Sequence, residues 1–295
     1  MTLENVFLDV GSIGMGVQST GMLFAQEMGL LNRTNVNYFA DLGRESKEVY
    51  DYMDYSMPIL KRYGIEVSVI KTSDIYNHIL SWDIEDRVSM IPVWFLVNGK
   101  PQPLNRQCTS DFKINIIAKK IREDYAIKRF KRWSVRMWQG ISLDEQSRVK
   151  RTKLFPEDQL TYRINHYPFI EKYATITAPN TKYLNFTRED IIENIFKKLG
   201  LKIPPKSSCF FCPFHDILYW YHIYLTQPEE WELSCVLDDS IRHYNSSNST
   251  MRNGPFYLYK GCIPLREIDF EKEIAKAKKN EGLLFEGCET GFCFT

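Results

Sequence analysis

Two cysteines separated by two residues are the first feature of this sequence that could bind a metal or take part in redox chemistry. Cys209 and Cys212 form a local chelate, and the other cysteines lie at positions 108, 235, 262, 288 and 293. A close pair of thiols in a reducing compartment is typical of metal ligation or redox chemistry. One chelate is incomplete, because zinc and iron–sulfur clusters need three or four ligands.

A second pair of thiols lies at the end of the chain, where Cys288 and Cys293 fall within the last eight residues. Chain termini are commonly mobile, so a thiol there can reach into an active site, and attack of a thiolate on sulfur is reasonable chemistry. The pattern predicts a redox role with Cys293 as the nucleophile. Two incidental thiols, or further cluster ligands, are the alternatives. Cys235 and Cys262 are predicted to be small core residues.

A turn rich in serine and glycine, residues 11–19, is the strongest indication of nucleotide binding. Such a turn lets backbone N–H groups approach an anion, and the N-terminus of the following helix adds partial positive charge. Ser12, Ser19 and Thr20 can add hydroxyl donors. The alternative is an ordinary tight turn with a good helix cap. No Walker lysine follows, which disfavours a P-loop NTPase.

Alternating strands and helices position this turn. The sequence predicts strands at residues 6–10, 35–40 and 66–70, with helices at 19–28 and 47–63 between them. Connections this short predict an α/β fold with a doubly wound parallel sheet. Ligands of such sheets bind beyond the carboxyl ends of the strands. Both the serine and glycine turn and Asp41 lie there.

The rest of the chain is predicted to add one more strand and a helical extension. Residues 75–107 have an irregular, aromatic pattern, a helix is expected from 109 to 125, and a core strand at 133–141. A helix that begins after Thr187 ends at Gly200, which predicts a nucleotide-binding domain over residues 1–200. Residues 201–295 are then a helical extension that carries the cysteine pair and the tail.

Positive charge is concentrated in residues 113–153, which hold 13 Lys and Arg against 4 Asp and Glu. Most such runs are solvated surface. Arg148 differs because it lies close after the strand at 133–141, where a guanidinium can grip phosphate or sulfate with two hydrogen bonds. Lys113 could do the same as a point charge. The excess could also guide a polyanion such as tRNA or DNA.

The overall composition excludes several classes of protein. With 38 basic and 37 acidic residues the net charge is +1, which excludes a dedicated polycationic wrapper of nucleic acid. No uncharged apolar run is long enough for a membrane span, and the N-terminus lacks the basic and apolar regions of a secretory signal. The sequence therefore predicts a cytoplasmic protein that has no membrane partner.

Five segments, taken in order, resemble a known superfamily. They are the loop at 12–19, Tyr38-Phe39-Ala40-Asp41-Leu42-Gly43, the segment 107–114, the segment 139–148, and Cys209-Phe210-Phe211-Cys212-Pro213. Together they are similar to the PP-loop ATP pyrophosphatases and the phosphoadenosine phosphosulfate (PAPS) reductase family, over roughly residues 5–225. The sequence departs from that pattern at Gln18, where relatives have an acid, at Leu42, and in two extra loop residues around Gly16.

The resemblance implies an adenine nucleotide α-hydrolase-like fold that binds ATP with Mg²⁺. It assigns nucleotide binding to Ser12, Gly14, Gly16, Gln18, Ser19, Thr20, Asp41 and Gly140, with Asp41 on magnesium or the ribose. It assigns catalytic roles to Lys113 and Arg148, which would contact the phosphate or sulfate groups.

The resemblance also supplies a third ligand, since it places Cys108 opposite the cysteine pair. The adenylyl-sulfate reductase branch has two adjacent cysteines here, and Thr109 replaces the second. Three cysteines are similar to the tRNA thiolation enzymes, in which a [4Fe-4S] cluster leaves one iron open to carry sulfur. A Cys₃His zinc site completed by His215 is the second possibility, and no metal is the third.

Three functions follow as expectations. The first is an ATP pyrophosphatase that adenylylates a substrate for sulfur transfer to tRNA, DNA or a metabolite, with a possible sulfur-donor protein as partner. The second is a sulfonucleotide reductase that uses Cys293 and thioredoxin. The third is a nucleotide-sensing or nucleic-acid-binding component without turnover, for which the altered loop at Gln18 is the motive.

Overall fold

The computed structural model describes residues 8–81, 91–127, 134–151, 163–173, 181–242 and 255–281. The strands are β1 (Leu8–Ile13), β2 (Val36–Asp41), β3 (Val67–Lys71), β4 (Trp94–Val97), β5 (Lys100–Pro103), β6 (Val135–Gln139) and β7 (Arg163–His166). The α-helices are α1 (Val17–Glu27), α2 (Lys47–Arg62), α3 (Ile75–Leu80), α4 (Asn115–Asp124), α5 (Arg188–Ile191), α6 (Ile217–Thr226), α7 (Pro228–Ile241) and α8 (Phe270–Glu281). A π-helical turn, Thr109–Ile114, leads into α4, and a second, Ile192–Lys197, extends α5.

The central sheet has the order β3-β2-β1-β6-β7, and every neighbouring pair is parallel. The chain first winds outward from β1 to β3 and then crosses to the other side of β1, where it forms β6 and β7. The carboxyl ends of β1 and β6 therefore flank a topological switch point, the usual place for a ligand in such a sheet. This arrangement confirms the predicted α/β fold class, with the helices α6, α7 and α8 as its C-terminal part.

Two local expectations were wrong. Strand β1 runs three residues further than predicted, because Gly11 and Ser12 pair with both β2 and β6 and Ile13 pairs with β2. The turn is therefore reduced to residues 14–16, which we call the glycine loop. The segment 75–107 is also more regular than expected. It contains α3, capped by the Asp74 carboxylate, and a β4–β5 hairpin that turns at Asn98 and Gly99.

Two large apolar cores hold the helices in place. One packs Met15, Phe24 and Phe196 beside the sheet. The other joins the N-terminal and C-terminal parts of the chain, since Ile75 and Trp220 belong to the same cluster. Cys235 is fully buried in this second core. Within the described residues, no helix combines the length and the apolar character needed to cross a membrane.

A buried histidine gives the fold a pH dependence. His166, at the end of β7, is fully buried against Trp138, and burial together with the charge of Arg136 lowers its pKa to about 3. The unfolded chain, with an ordinary histidine pKa near 6.5, binds a proton that the folded chain rejects. We therefore expect this group to reduce the free energy of unfolding as the pH falls from about 6.5 towards 3, by up to about 1.4 kcal/mol per pH unit.

The variant His166→Gln should make the free energy of unfolding depend less steeply on pH, because one titrating group is removed. Urea unfolding at several pH values between 7 and 4 measures the effect. Identical slopes for the variant and the parent chain would contradict the prediction.

Candidate functional site

The glycine loop joins β1 to α1 at the carboxyl edge of the sheet. The Ser19 hydroxyl accepts from the Gly14 N–H at 3.1 Å and donates to the Gly16 carbonyl at 3.3 Å, which closes the loop on itself. Met15 is fully buried and has a left-handed φ of 58°, so packing holds a strained backbone in place. No described side chain caps α1, and its first turn carries no acid. The first N–H groups of the helix are thus open to an anion.

Gly140 fixes the position of this helix end. A Cβ at position 140 would stand 2.7 Å from the backbone of Gln18 and Ser19, an approach that only glycine permits. The Gln18 side-chain amide donates to the Ser142 hydroxyl at 3.5 Å. The segment after β6 and the first turn of α1 therefore meet at the switch point, as the sequence assignments of Gly140 and Gln18 require.

The other predicted nucleotide residues have mixed environments. Ser12 lies inside β1, between Tyr38 and Gln139 of the neighbouring strands. Thr20 is fully buried in α1, which places its hydroxyl in the interior and not at the loop surface. Ser12 is expected in the loop only when the strand is ended too early, at residue 10, whereas Thr20 lies in the helix as predicted.

Asp41 and Arg148 each have a partner within the protein. One carboxylate oxygen of Asp41 accepts from the Gly43 N–H and from the Tyr50 hydroxyl, both at 2.8 Å. Asp41 therefore caps the end of its strand, and its role toward magnesium or ribose stays a prediction. The Arg148 guanidinium pairs with Glu145 at 2.5 Å and is almost buried.

The three cysteines expected to act together line one pocket. Cys108, Cys209 and Cys212 line the same small pocket, which is partly open to solvent and which we call the thiol pocket. Its polar lining is completed by Arg106, Thr109, Lys113, Ser207 and Ser208. The sequence prediction that Cys108 lies near the distant cysteine pair therefore agrees with the structure.

Backbone pairing holds the cysteine segment against the chain that follows β2. Glu45 and Cys209 form an isolated antiparallel bridge. The Ser46 N–H donates to the Ser208 carbonyl at 3.2 Å, and the Phe210 N–H donates to the Arg44 carbonyl at 3.3 Å. This pairing holds the cysteine segment beside residues 44–46, which follow β2 and Asp41.

A buried ion pair lies beside these thiols. Lys113 Nζ is 2.8 Å from Glu45 Oε1, and the Glu45 side chain is completely buried. Burial alone would lower the pKa of Lys113, but the charge of Glu45 and its hydrogen bond raise it overall. Lys113 is therefore an ammonium. The second Glu45 oxygen has no hydrogen-bond partner among the described residues.

The described residues hold no preassembled ligand set for either predicted metal, the three cysteines included. Within the described ranges, no group of three or more His, Cys, Asp or Glu side chains is arranged to hold a metal ion. His215 Nε2 donates to the Cys209 carbonyl at 2.9 Å, and its ring stacks on Tyr219 at 3.9 Å. The imidazole is thus engaged with the backbone behind the pocket, and it is not among the lining residues.

Three thiols on one pocket still form the soft donor set that iron–sulfur clusters use. Burial raises the pKa of Cys209, so this thiol is protonated until a metal displaces the proton. Lys113, held close by, would offset part of the negative charge that three thiolates bring. The chemistry of the residues therefore fits a cluster on Cys108, Cys209 and Cys212 better than it fits a Cys₃His zinc site.

One short segment connects the pocket to the glycine loop. A Cβ at Gly16 would lie 3.3 Å from Ser207 Cβ, so Ser207 packs directly on the loop. Cys209 follows two residues later. Lys206 lies over the Tyr219 ring, with its Nζ 5.2 Å from the ring centroid. The loop and the thiols are therefore neighbours.

Sequence reasoning missed Glu45 and Ser207. Their only signals were an acid just after the strand-end motif and a serine just before the cysteine pair. The proposed nucleophile Cys293, together with Cys288, lies outside the described residues.

Comparison with known proteins finds likeness only among solved structures. No family model matches the chain, and no curated protein matches it. Among solved structures, the U34-tRNA thiolase NcsA from Methanococcus maripaludis with its [4Fe-4S] cluster matches at a TM-score of 0.39 and 13% identity. The match covers 85% of this chain and 78% of that chain.

Proposed function

We propose that this protein is a PP-loop ATP pyrophosphatase that adenylylates a substrate and then exchanges the activated oxygen for sulfur. The observation that carries the proposal is the contact of Ser207 with the glycine loop at Gly16, two residues before Cys209. Two residues of extended chain span about 7 Å. A phosphoryl group on the loop would therefore lie close to the thiols, as a coupled activation and sulfur transfer requires.

The first half of the reaction takes place at the glycine loop and the start of α1. The uncapped N–H groups of α1 bind the phosphates, and Gly140 lets the helix end approach the switch point. A substrate oxygen attacks the α-phosphorus of ATP, and the bond to the pyrophosphate oxygen breaks. Donors that already face the leaving pyrophosphate stabilise its growing charge without reorganisation.

The second half of the reaction belongs to the thiol pocket. A sulfur nucleophile attacks the activated carbon, and AMP leaves with the former substrate oxygen. Lys113, an ammonium fixed by Glu45, supplies positive charge beside the departing phosphate. A cluster bound by the three cysteines would carry that sulfur on an open iron. The acceptor would be a tRNA, a DNA or a small metabolite, and the positive stretch at 113–153 suits a nucleic acid.

ATP binding tests the first half of the proposal. Isothermal titration calorimetry with ATP and Mg²⁺ should show one site per chain, and pyrophosphate should appear once an acceptor is added. The absence of ATP binding to correctly folded protein would refute the assignment.

The thiol pocket is tested by metal analysis. Protein purified anaerobically should contain iron and sulfide and absorb near 400 nm. Each of Cys108→Ser, Cys209→Ser and Cys212→Ser should lose most of the iron, whereas Cys262→Ser, outside the pocket, should keep it. Retention of full iron content in all three pocket variants would exclude the cluster.

A further inference from the structure

Helix α6 is apolar on every side, although part of it lies at the surface. None of its ten residues is an aspartate, glutamate, lysine or arginine. A helix that is apolar all round is normally buried. Trp220 and Ile223 are indeed fully buried, but Tyr224 and Leu225 near the end of the helix are 48% and 58% exposed. Within the part of the chain that the structure describes, this side of α6 is therefore uncovered.

Aromatic rings extend this apolar area onto the two neighbouring helices. The Tyr224 ring stacks on Phe270 of α8 at 5.2 Å between centroids and meets Trp231 of α7 at 5.3 Å. The Tyr221 ring lies 5.1 Å from the same Phe270 ring. We call Tyr221, Tyr224, Leu225, Trp231 and Phe270 the aromatic surface. Exposed apolar areas that are contiguous mark interaction sites, and tyrosine and tryptophan are the residues that protein interfaces favour.

Carboxylates flank the aromatic surface. Within three positions of Trp231 and of Phe270 the sequence has seven acids and one base, Lys272. Two of the acids are paired, Glu232 with Arg266 and Glu273 with Lys276. The other five form no ion pair among the described residues, and they are Glu229, Glu230, Glu267, Asp269 and Glu271. The aromatic surface therefore lies in a negative field, in a chain whose net charge is +1.

This charge decides which kind of partner fits. A nucleic acid would bring its phosphates against the carboxylates, and like charges at close range repel. An anionic membrane surface is disfavoured for the same reason. A protein segment that combines lysine or arginine with apolar side chains satisfies both features, because its apolar side chains cover the rings while its cations meet the acids. Arginine can also stack on the tyrosine and tryptophan rings.

We infer that the aromatic surface docks a partner protein through a basic, apolar segment of that partner. The surface is attached to the start of α2 by two contacts. Glu230 of α7 accepts from the Lys47 N–H at 2.7 Å, and His222 of α6 pairs with Glu48 at 2.7 Å. A partner on this face therefore contacts helices that hold the chain next to residues 44–46, beside the thiol pocket. The inference stands apart from the proposed function, because it requires neither ATP nor a metal.

Synthetic peptides test the chemistry of the partner on the full chain. The amphipathic peptide LKKLLKLLKKLLKL supplies both cations and apolar side chains, whereas LEELLELLEELLEL reverses the charge and SKKSSKSSKKSSKS removes the apolar side chains. Fluorescence anisotropy of each labelled peptide measures binding. The first peptide should bind, and each comparison peptide should bind at least about tenfold more weakly.

Variants of the chain then locate the contact. Leu225→Ser should weaken binding of the first peptide by about tenfold, because one leucine side chain is no longer covered. Leu96→Ser is the matched control, since Leu96 is 52% exposed on β4, outside the aromatic surface. It should bind as the parent chain does. Far-UV circular dichroism confirms that both variants are folded.

Reversing charges provides a second readout that leaves every apolar side chain in place. Glu229→Lys/Glu271→Lys should weaken binding of the first peptide by about fivefold at low salt and make it less dependent on salt. Glu66→Lys/Glu123→Lys is the control with the same change in net charge, because both acids are exposed and lie outside the aromatic surface. Its affinity should stay within about twofold of the parent chain.

Three results would overturn the inference. Failure of LKKLLKLLKKLLKL to bind the full chain would mean that the chain itself covers the aromatic surface. Equal affinity of the parent chain, Leu225→Ser and the charge-reversed variant would place the contact elsewhere. A parent chain that dimerises in sedimentation equilibrium, with a monomeric Leu225→Ser, would identify the occupant as a second copy. Peptide binding that depends on Leu225 in a chain without ATP binding would leave the inference standing and remove the proposed function.

Discussion

Replacing Gly140 with alanine should abolish tight ATP binding and destabilise the protein. The new Cβ would stand 2.7 Å from the Gln18 and Ser19 backbone, which no side-chain rotation relieves. Because the obstacle is main chain, the first turn of α1 or the end of β6 must move. Overpacking of this kind costs about 1–3 kcal/mol in the free energy of unfolding.

The same displacement should weaken ATP binding. In the proposed function the phosphates bind N–H groups whose positions Gly140 sets, so a displaced helix end would lose at least one charge-assisted hydrogen bond. We expect ATP affinity to fall by at least about tenfold. Calorimetry measures the affinity, and urea unfolding measures the stability.

Gly99→Ala supplies the control for this variant. Gly99 lies in the β4–β5 turn with a φ of 73° and no atom near its virtual Cβ. Alanine there should cost about 1 kcal/mol of stability through backbone strain alone and leave ATP affinity unchanged. If Gly140→Ala also leaves ATP affinity unchanged, the phosphates do not bind at the end of α1.

The architecture was predictable because its signals are local. Short apolar strands, helices between them and connections of a few residues indicated a parallel sheet, and the carboxyl edge then located the ligand site. The length of β1 was not predictable, since glycine and serine are poor strand formers in isolation. Parallel partners on both sides of Gly11 and Ser12 override that preference.

The thiol pocket shows a different limit. The family resemblance predicted that Cys108 lies near the cysteine pair. Nothing in the local sequence predicted that Glu45 would be buried, since glutamate is normally exposed. Its partner Lys113 is 68 residues away, so only the tertiary structure reveals the pair. The environment of His215 was equally unpredictable from the sequence. The folded chain pairs its ring nitrogen with the carbonyl of Cys209.

Breaking the ion pair between Lys113 and Glu45 should change the free energy of unfolding more than any other substitution proposed here. In Lys113→Met, the completely buried carboxylate of Glu45 loses its 2.8 Å cation partner. Breaking a buried pair by removing one partner typically costs about 3–5 kcal/mol, because the remaining charge is uncompensated. Urea unfolding of Lys113→Met should show a loss in this range.

The double variant Lys113→Met/Glu45→Gln separates the burial of a charge from the loss of packing. It removes both charges at similar volume, so it should regain most of the lost stability, as buried pairs replaced together often do. Lys197→Met is the comparison variant, since Lys197 and its partner Glu193 are exposed and should contribute little. If the double variant is as unstable as Lys113→Met, the cost arises from packing, and Glu45 does not act as the charge partner that fixes Lys113 at the thiol pocket.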